Sequence, residues 1–272
     1  GCGLHGVCMK PYYEHAGITI YHGDCREVLP CVGASGAFIT DPPYLTAERD
    51  LSRFTSLRRA DGAPCSEIPY DAATPELLRD LAAIADVYCA GFFVGFNDFD
   101  GVCLLRTLLA RCTNIQVTSA VGGWFRGLGL VLPAGRNTTA CKDLEFLAIA
   151  KHKDYREPRD RRSCFQTPNA APSGQFVVGG KPLRLMSEIV QFYTRRDETV
   201  IDPFMGAGTT LAAAKNTNRR AIGIEIDERR CEITAKRLSQ EVMQFREPCM
   251  ALLKNDPRPC GLERGHTGEH AI

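Results

Sequence analysis

Short apolar runs alternate with helical segments along most of this chain, and this alternation is the strongest constraint on its fold. Runs of strand length lie at residues 18–22, 37–40, 87–96, 115–121, 199–202 and 221–225. Helices are predicted from Thr74 to about Ala85, Lys181 to about Thr194 and Asp227 to about Phe245, and a turn followed by a helix from Gly206 to Asn216. Strands joined through helices usually run parallel, so the sequence predicts an α/β fold with a mostly parallel sheet flanked by helices.

Size and charge set bounds on this fold. The chain has 272 residues, a formal net charge of +1 and 13 cysteines. No apolar run is long enough to cross a bilayer, and no signal-peptide core is visible at the N-terminus. We therefore expect a cytoplasmic protein with one catalytic domain, no membrane partner and mostly reduced, buried cysteines.

The first run with a chemical signature ends in Asp41-Pro42-Pro43-Tyr44. An amino group on a nucleobase is a poor nucleophile, because its lone pair is delocalised into the ring. The carboxylate of Asp41 and the carbonyl of Pro42 can accept its two N–H bonds, and the successive prolines hold that carbonyl rigidly. Tyr44 offers a ring on which the base can stack. These four residues are the predicted catalytic set.

The second run is followed by a glycine-rich turn and a helix, at Asp202-Pro203-Phe204-Met205-Gly206-Ala207-Gly208-Thr209. Glycines at this turn allow close backbone approach to a ligand, and Glu225 ends the next strand, where an acid can accept hydrogen bonds from ribose hydroxyls. Leu211 replaces the third glycine of the dinucleotide pattern. A phosphate-free, cationic nucleoside such as S-adenosylmethionine therefore fits better than a dinucleotide, with Asp202 near its positive charge.

Together these motifs resemble the permuted β group of DNA amino-methyltransferases, in which Asp-Pro-Pro-Tyr precedes the cofactor motif. The resemblance implies a seven-stranded, Rossmann-like methyltransferase sheet over residues 11–246, with a small recognition segment at about 123–179 and a C-terminal tail at 247–272. Within this segment, Trp124-Phe125-Arg126 and Leu144-Glu145-Phe146 resemble the part that precedes the recognition region in the family, which leaves about Lys151 to Gly179 for recognition itself. The residues expected to bind S-adenosylmethionine are Asp24, Lys181, Asp202, Pro203, Phe204, Gly206, Gly208, Thr209 and Glu225.

The expected reaction is methylation of an exocyclic amine in double-stranded DNA. In this family an aspartate in the first motif position favours adenine N6. The alternatives are cytosine N4 methylation and a catalytically inactive DNA-binding relative. RNA or protein-glutamine methylation is disfavoured by the motif order, and a cognate restriction enzyme is a further candidate partner.

Two stretches remain open to either of two interpretations. The charged stretch 151–162 fits a solvated linker or a DNA contact equally well. Cys249, Cys260, His266 and His270 have spacing compatible with zinc, but a disordered tail is favoured, so no metal is predicted.

Overall fold

The computed structural model describes residues 9–45, 73–125, 144–156, 162–167 and 180–239, and two short strands at 252–253 and 256–259. The chain forms two compact units, Gly1–Ser239 and Gln240–Ile272.

Ten strands of the described residues in the first unit form one sheet. They are β1 (Tyr13–His15), β2 (Ile18–His22), β3 (Gly36–Thr40), β4 (Cys89–Asn97), β5 (Ile115–Val117), β6 (Gly122–Phe125), β7 (Leu144–His152), β8 (Cys164–Gln166), β9 (Thr199–Asp202) and β10 (Arg220–Glu225).

The sheet has a parallel centre and antiparallel flanks. Its order is β1-β2-β10-β9-β3-β4-β7-β6-β8, and β5 also pairs with β7. In this order the five central strands, β2, β10, β9, β3 and β4, are mutually parallel, while β1 and β7 run antiparallel to their neighbours. The expected α/β sheet is confirmed, but the expected count of seven strands is wrong. Strands β1, β6, β7 and β8 were not predicted: β1 and β8 have only three residues each, too few to give a recognisable alternating pattern, and β6 and β7 lie in the stretch assigned to the recognition segment.

Six helices of the described residues flank this sheet. They are α1 (Cys25–Val32), α2 (Pro75–Tyr88), α3 (Phe99–Leu109), α4 (Leu183–Tyr193), α5 (Thr209–Asn216) and α6 (Glu228–Ser239). The N-terminus of α2 shows how the sequence determines where a helix begins. The Thr74 hydroxyl accepts a hydrogen bond from the backbone N–H of Leu77, and proline occupies the first turn.

The helices bury their apolar faces on opposite sides of the sheet. One core contains side chains of α4, α5 and α6, such as Ile189 and Leu211, and the other contains side chains of α1, α2 and α3, such as Leu29 and Leu105. Neighbouring residues of β3 point to opposite cores, Phe38 to the second and Ile39 to the first. Every residue of β3 is buried, because the strand is covered on both faces, and this explains why its sequence is apolar up to Thr40.

Several boundaries differ from those expected. Val87 and Tyr88 end α2 rather than begin β4, and the run at 115–121 forms a strand only over Ile115–Val117. Helices α1 and α3 were not predicted. Helix α6 is described as far as Ser239, and its expected continuation to Phe245 lies outside the described residues.

Cysteine burial also departs from expectation. Among the described cysteines, all of which are free, Cys25, Cys89 and Cys231 are buried, but Cys31, Cys103 and Cys164 are exposed. Burial raises the pKa of each of the three buried thiols to about 12. They therefore act as apolar core groups.

Two further features complete the fold. None of the helices in the described part of the chain has the length and hydropathy needed to span a membrane. In the second unit, strands β11 (Leu252–Leu253) and β12 (Asp256–Pro259) pair antiparallel. The four tail residues with zinc-like spacing lie outside the described residues.

Candidate active site

The carboxyl ends of the five parallel strands meet at one edge of the sheet, and each carries a polar residue there. Asp24 follows β2, Glu225 ends β10 and Asp202 ends β9, while Asp41 follows β3 and Asn97 ends β4. This edge is where ligands bind in open α/β sheets. The strand order, and not the order along the chain, therefore brings the two predicted motifs together.

Glu225 is held by backbone donors. The residue is 7% exposed, and its carboxylate accepts hydrogen bonds from the N–H of Gly206 at 2.9 Å and of Asp227 at 3.0 Å. Arg230 lies 4.0 Å from the same carboxylate. These contacts fix the direction of the acid and tie it to the glycine turn after β9.

Asp202 is the most deeply buried acid of the site, with 2% exposure. The Thr40 hydroxyl donates a 2.8 Å hydrogen bond to it from β3, and the backbone N–H of Phe204 donates another at 3.2 Å. Burial raises the pKa of Asp202 to about 6, although these donors oppose the rise. The Thr40 contact also joins the two motifs directly, because β3 and β9 are neighbours.

The glycine turn is braced by α6. Thr234 donates to the carbonyl of Gly206 at 3.1 Å, and Arg237 donates to the carbonyl of Ala207 at 3.0 Å. Gly208 has φ +70°, and a Cβ there would lie 2.2 Å from Thr234. The glycine is therefore required for packing against α6 as well as for its backbone conformation.

Asp24 caps α1 and is paired with a basic side chain. Its carboxylate accepts a hydrogen bond from the backbone N–H of Arg26 and forms a 2.5 Å ion pair with the Arg26 side chain, which also reaches Asp80 at 3.2 Å. These hydrogen bonds from Arg26 lower the pKa of Asp24. Asp24 therefore has two functions, as a helix cap and as a wall of the site.

Asp41 is paired with Lys181, which the sequence analysis placed with the cofactor residues. The Lys181 ammonium lies 2.5 Å from Asp41 Oδ2 and 3.2 Å from Glu145 Oε2. It also donates to the Tyr44 hydroxyl at 3.2 Å, and that hydroxyl donates to Glu145 at 2.9 Å. The predicted catalytic acid thus belongs to a network of four side chains.

Asn97, at the end of β4, holds the Asp-Pro-Pro-Tyr loop through hydrogen bonds to its backbone. It is fully buried; its amide nitrogen donates to the carbonyl of Pro43 at 3.3 Å, and its amide oxygen accepts from the N–H of Leu45 at 3.2 Å. These two contacts bracket Tyr44. Gly101 makes room for this arrangement, because a Cβ there would lie 1.9 Å from the Asn97 amide oxygen.

A cavity of about 290 Å³ joins these groups. It is lined by ten of the thirteen predicted site residues: Asp24, Asp41, Pro43, Lys181, Asp202, Pro203, Phe204, Gly206, Thr209 and Glu225. Pro42, Tyr44 and Gly208 do not line it. Tyr44 nevertheless reaches the site through its contact with Lys181.

Sequence reasoning missed Thr40, Asn97 and Arg230, and it named Glu145 only as part of a resembling segment. Asn97 had a detectable signal, because it ends the apolar run Cys89–Asn97 as Asp41 and Asp202 end or follow theirs. Thr40, Glu145 and Arg230 had none, since their roles depend on neighbours that are distant in sequence.

Comparisons with known proteins bear directly on this geometry. A family model described as DNA methylase, of the N6/N4 methyltransferase type, matches residues 144–236. The chain is 39% identical over 258 residues to the type II methyltransferase M2.DpnII of Streptococcus pneumoniae, covering 87% of this chain and 95% of that protein. The chain belongs to the N6/N4 DNA methylase family.

Other relatives of this family match at different lengths. The type II methyltransferase M2.LlaDCHI of Lactococcus lactis subsp. cremoris is 21% identical, with 86% and 94% of the two chains covered. A 66-residue segment is 44% identical to M.HindIII of Haemophilus influenzae, but it spans only 21% of that protein.

Solved structures share the fold. M1.HpyAVI in complex with S-adenosylmethionine superposes with a TM-score of 0.60 at 24% identity, over 82% of this chain and 99% of that one. The cytosine-N4-specific PvuII DNA methyltransferase gives 0.63 at 17% identity, over 86% and 91%. The methyltransferase sheet expected from the sequence is therefore confirmed.

S-adenosylmethionine is the methyl donor of the N6/N4 DNA methylases, and the site fits it. The cavity wall carries the buried acid Asp202 and the fixed acid Glu225, which suit a cationic ligand with ribose hydroxyls. Although Arg26, Lys181 and Arg230 also line the cavity, Asp202 and Glu225 would repel a pyrophosphate placed beside them. This agrees with the absence of the third glycine of the dinucleotide pattern, whose place Leu211 takes.

Proposed function

We propose that this N6/N4 DNA methylase transfers a methyl group to the N6 amine of adenine in double-stranded DNA. The observation that carries the proposal is the placement of Asp41 in the same cavity as Asp202 and Glu225. An acceptor for a base amine thereby lies beside the residues proposed for the methyl donor. The preference for adenine rests on aspartate in the first position of the catalytic motif.

The proposed chemistry of the target half is positioning. The Asp41 carboxylate and the Pro42 carbonyl accept the two N–H bonds of the target amine, which favours a pyramidal nitrogen and directs its lone pair. Tyr44 stacks on the base after it leaves the double helix. Pro43 restricts the loop, and Asn97 fixes its carbonyl.

The proposed chemistry of the cofactor half is binding and orientation. S-adenosylmethionine supplies an electrophilic methyl group when bound. Glu225 accepts hydrogen bonds from its ribose hydroxyls, and Asp202 attracts its positive charge. Asp24 contacts its adenine, while Pro203, Phe204, Gly206 and Thr209 form the wall of the cavity.

The domain assignment belongs to the same proposal. The methyltransferase domain spans residues 11–246, its recognition segment lies at about 123–179, and 247–272 form a separate tail. We further propose that the enzyme works in the cytoplasm and protects DNA against a cognate restriction enzyme.

Long-read sequencing of host DNA tests this function directly. DNA from cells expressing the wild type is compared with DNA from cells expressing the Asp41→Ala variant. Methylated adenine in one sequence context, present only with the wild type, is the expected result. Methylated cytosine N4 instead would reassign the target base, and no modification with a folded wild type would overturn the proposal.

A further inference from the structure

Lys181 lies where the target base is expected. Its ammonium is 2.5 Å from Asp41 Oδ2, as an amine donor of the base would be. It also lies 5.3 Å from the centre of the Tyr44 ring, the ring proposed to stack on the base, and 5.0 Å from the centre of the Phe96 ring. The lysine thus makes the two contacts that a loaded base would need.

A second acid, Glu145, also contacts the Lys181 ammonium. Glu145 Oε2 is 3.2 Å from Lys181 Nζ and accepts a 2.9 Å hydrogen bond from the Tyr44 hydroxyl. The side chains of Lys181 and Glu145 are 8% and 11% exposed, so their interaction is only weakly screened by solvent. Glu145 lies on β7, outside the loop that carries Asp41, and it can keep its place when that loop receives a base.

Asp41 has acceptor capacity that Lys181 does not use. Within the described part of the chain, its Oδ1 atom is buried and has no hydrogen-bond donor. A buried carboxylate oxygen without a donor costs free energy, so a donor that reaches both oxygens gains more than one that reaches Oδ2 alone. An exocyclic amine entering the loop is such a donor.

We propose that Lys181 is an internal place-holder for the target amine. Without DNA it occupies Asp41 and the face of Tyr44; when the base enters, the ammonium leaves Asp41 and is retained by Glu145. The inference rests on the proposed function and deepens it, because it makes Glu145 a positioning residue of base loading. It also moves Lys181 from the cofactor half of the site to the target half.

The place-holder predicts effects of opposite sign for two variants. In Glu145→Gln the ammonium loses its second carboxylate and stays on Asp41, so the base must displace it with less compensation. In the double variant Lys181→Met, Glu145→Gln no ammonium competes, and no second acid is left to repel Asp41. An ion pair that is merely structural would shift both variants in the same direction.

The experiment measures how much the target base contributes to DNA binding. The probe is a duplex carrying the methylated site found by sequencing, with the target base either present or replaced by an abasic residue, in the presence of S-adenosylhomocysteine. The measured quantity is the ratio of the two dissociation constants. Relative to the wild type, we expect the preference for the base to fall about threefold to tenfold in Glu145→Gln and to rise by a similar factor in the double variant.

A matched control uses the exposed ion pair between Lys236 and Glu232 on α6, where the same two substitutions should leave the ratio unchanged. Shifts of the same sign in both test variants would overturn the place-holder. An unchanged ratio with weaker S-adenosylhomocysteine binding in the double variant would also overturn it and would return Lys181 to the cofactor half. Failure of the proposed function has a different signature, since the wild type would then methylate no site.

Discussion

The two halves of the site are stabilised in different ways. In the cofactor half, backbone N–H groups of Gly206 and Asp227 hold Glu225, and the backbone of Phe204 helps to hold Asp202. In the target half, the acid Asp41 is instead paired with the side chain of Lys181. Backbone donors cannot move without distorting the sheet edge, whereas a lysine can change partners by rotating. The comparison indicates a preformed cofactor half and a target half that rearranges.

The largest expected effect separates the halves at Asp41. Asp41→Ala should lower methyl transfer by about a thousandfold or more, because the target amine loses the acceptor that orients it, while cofactor affinity stays near that of the wild type. Transfer of labelled methyl groups and calorimetry with S-adenosylmethionine measure the two quantities. Glu14→Ala, at an exposed acid on β1, is the control. Equal losses in both quantities would mean that the two halves are not separable.

The second effect tests the cofactor half at Glu225. Glu225→Gln should weaken S-adenosylmethionine binding by about 1–3 kcal/mol, because hydrogen bonds to a charged acceptor are replaced by weaker ones. Calorimetry measures the dissociation constant. The matched control is Glu228→Gln, at an exposed position three residues further along the chain. An unchanged dissociation constant would remove Glu225 from the cofactor site.

The third effect sharpens the division by using a residue that only supports the target half. Asn97→Asp replaces the donor to the Pro43 carbonyl with an acceptor, so kcat should fall about tenfold to a hundredfold with unchanged cofactor affinity. Gly101→Ala should act in the same direction, because its Cβ would displace the Asn97 side chain.

The control for Asn97 lies on the same strand. Gly95→Ala also strains the packing of β4, against Phe93 and Leu105, but it does not touch the catalytic loop. Thermal unfolding of all three variants separates lost stability from lost positioning. A kcat loss in Gly95→Ala as large as that in Asn97→Asp would reduce Asn97 to a packing role.

The smallest effect is the pH dependence of cofactor binding. The pKa of Asp202 is raised by burial to about 6, and a cationic ligand favours its ionised form. Affinity for S-adenosylmethionine should therefore fall about fourfold between about pH 7.5 and about pH 5.5. Thr40→Val removes a donor that lowers this pKa, so its loss of affinity should begin at a higher pH. Identical pH profiles for wild type and Thr40→Val would exclude Asp202 as the titrating group.

The ionisation of Asp202 is expected to affect folding stability in the opposite direction to cofactor binding. Because its pKa is raised on folding, Asp202 contributes stability at low pH that is lost as the pH rises through about 6. Asp202→Asn should thus raise the free energy of unfolding at alkaline pH by up to about 3 kcal/mol, while it weakens cofactor binding. Denaturant titration measures the first quantity and calorimetry the second.

Local patterns in the sequence predicted the parallel centre of the fold well. The runs that became β2, β3, β9 and β10 are rich in apolar residues, and their ends were predicted within about one residue. Strands β1, β6, β7 and β8 and helices α1 and α3 escaped prediction; β1 and β8 have three residues each, and so few residues carry no reliable period. The start of β4 was misplaced because Val87 and Tyr88 continue its apolar run but belong to α2.

The sequence by itself determined the chemistry of the two motifs. The first is an acid and two prolines after one strand. The second is an acid and a glycine turn at the end of another strand, with a further acid at the end of the strand that follows. It also determined the family, because these motifs and their order are local properties of the chain. Only the tertiary structure decided that Lys181 contacts Asp41, that Thr40 donates to Asp202, and that Asn97 holds the catalytic loop. Each of these contacts joins residues more than 50 positions apart, and such distances are set by strand order and packing, which no local pattern encodes.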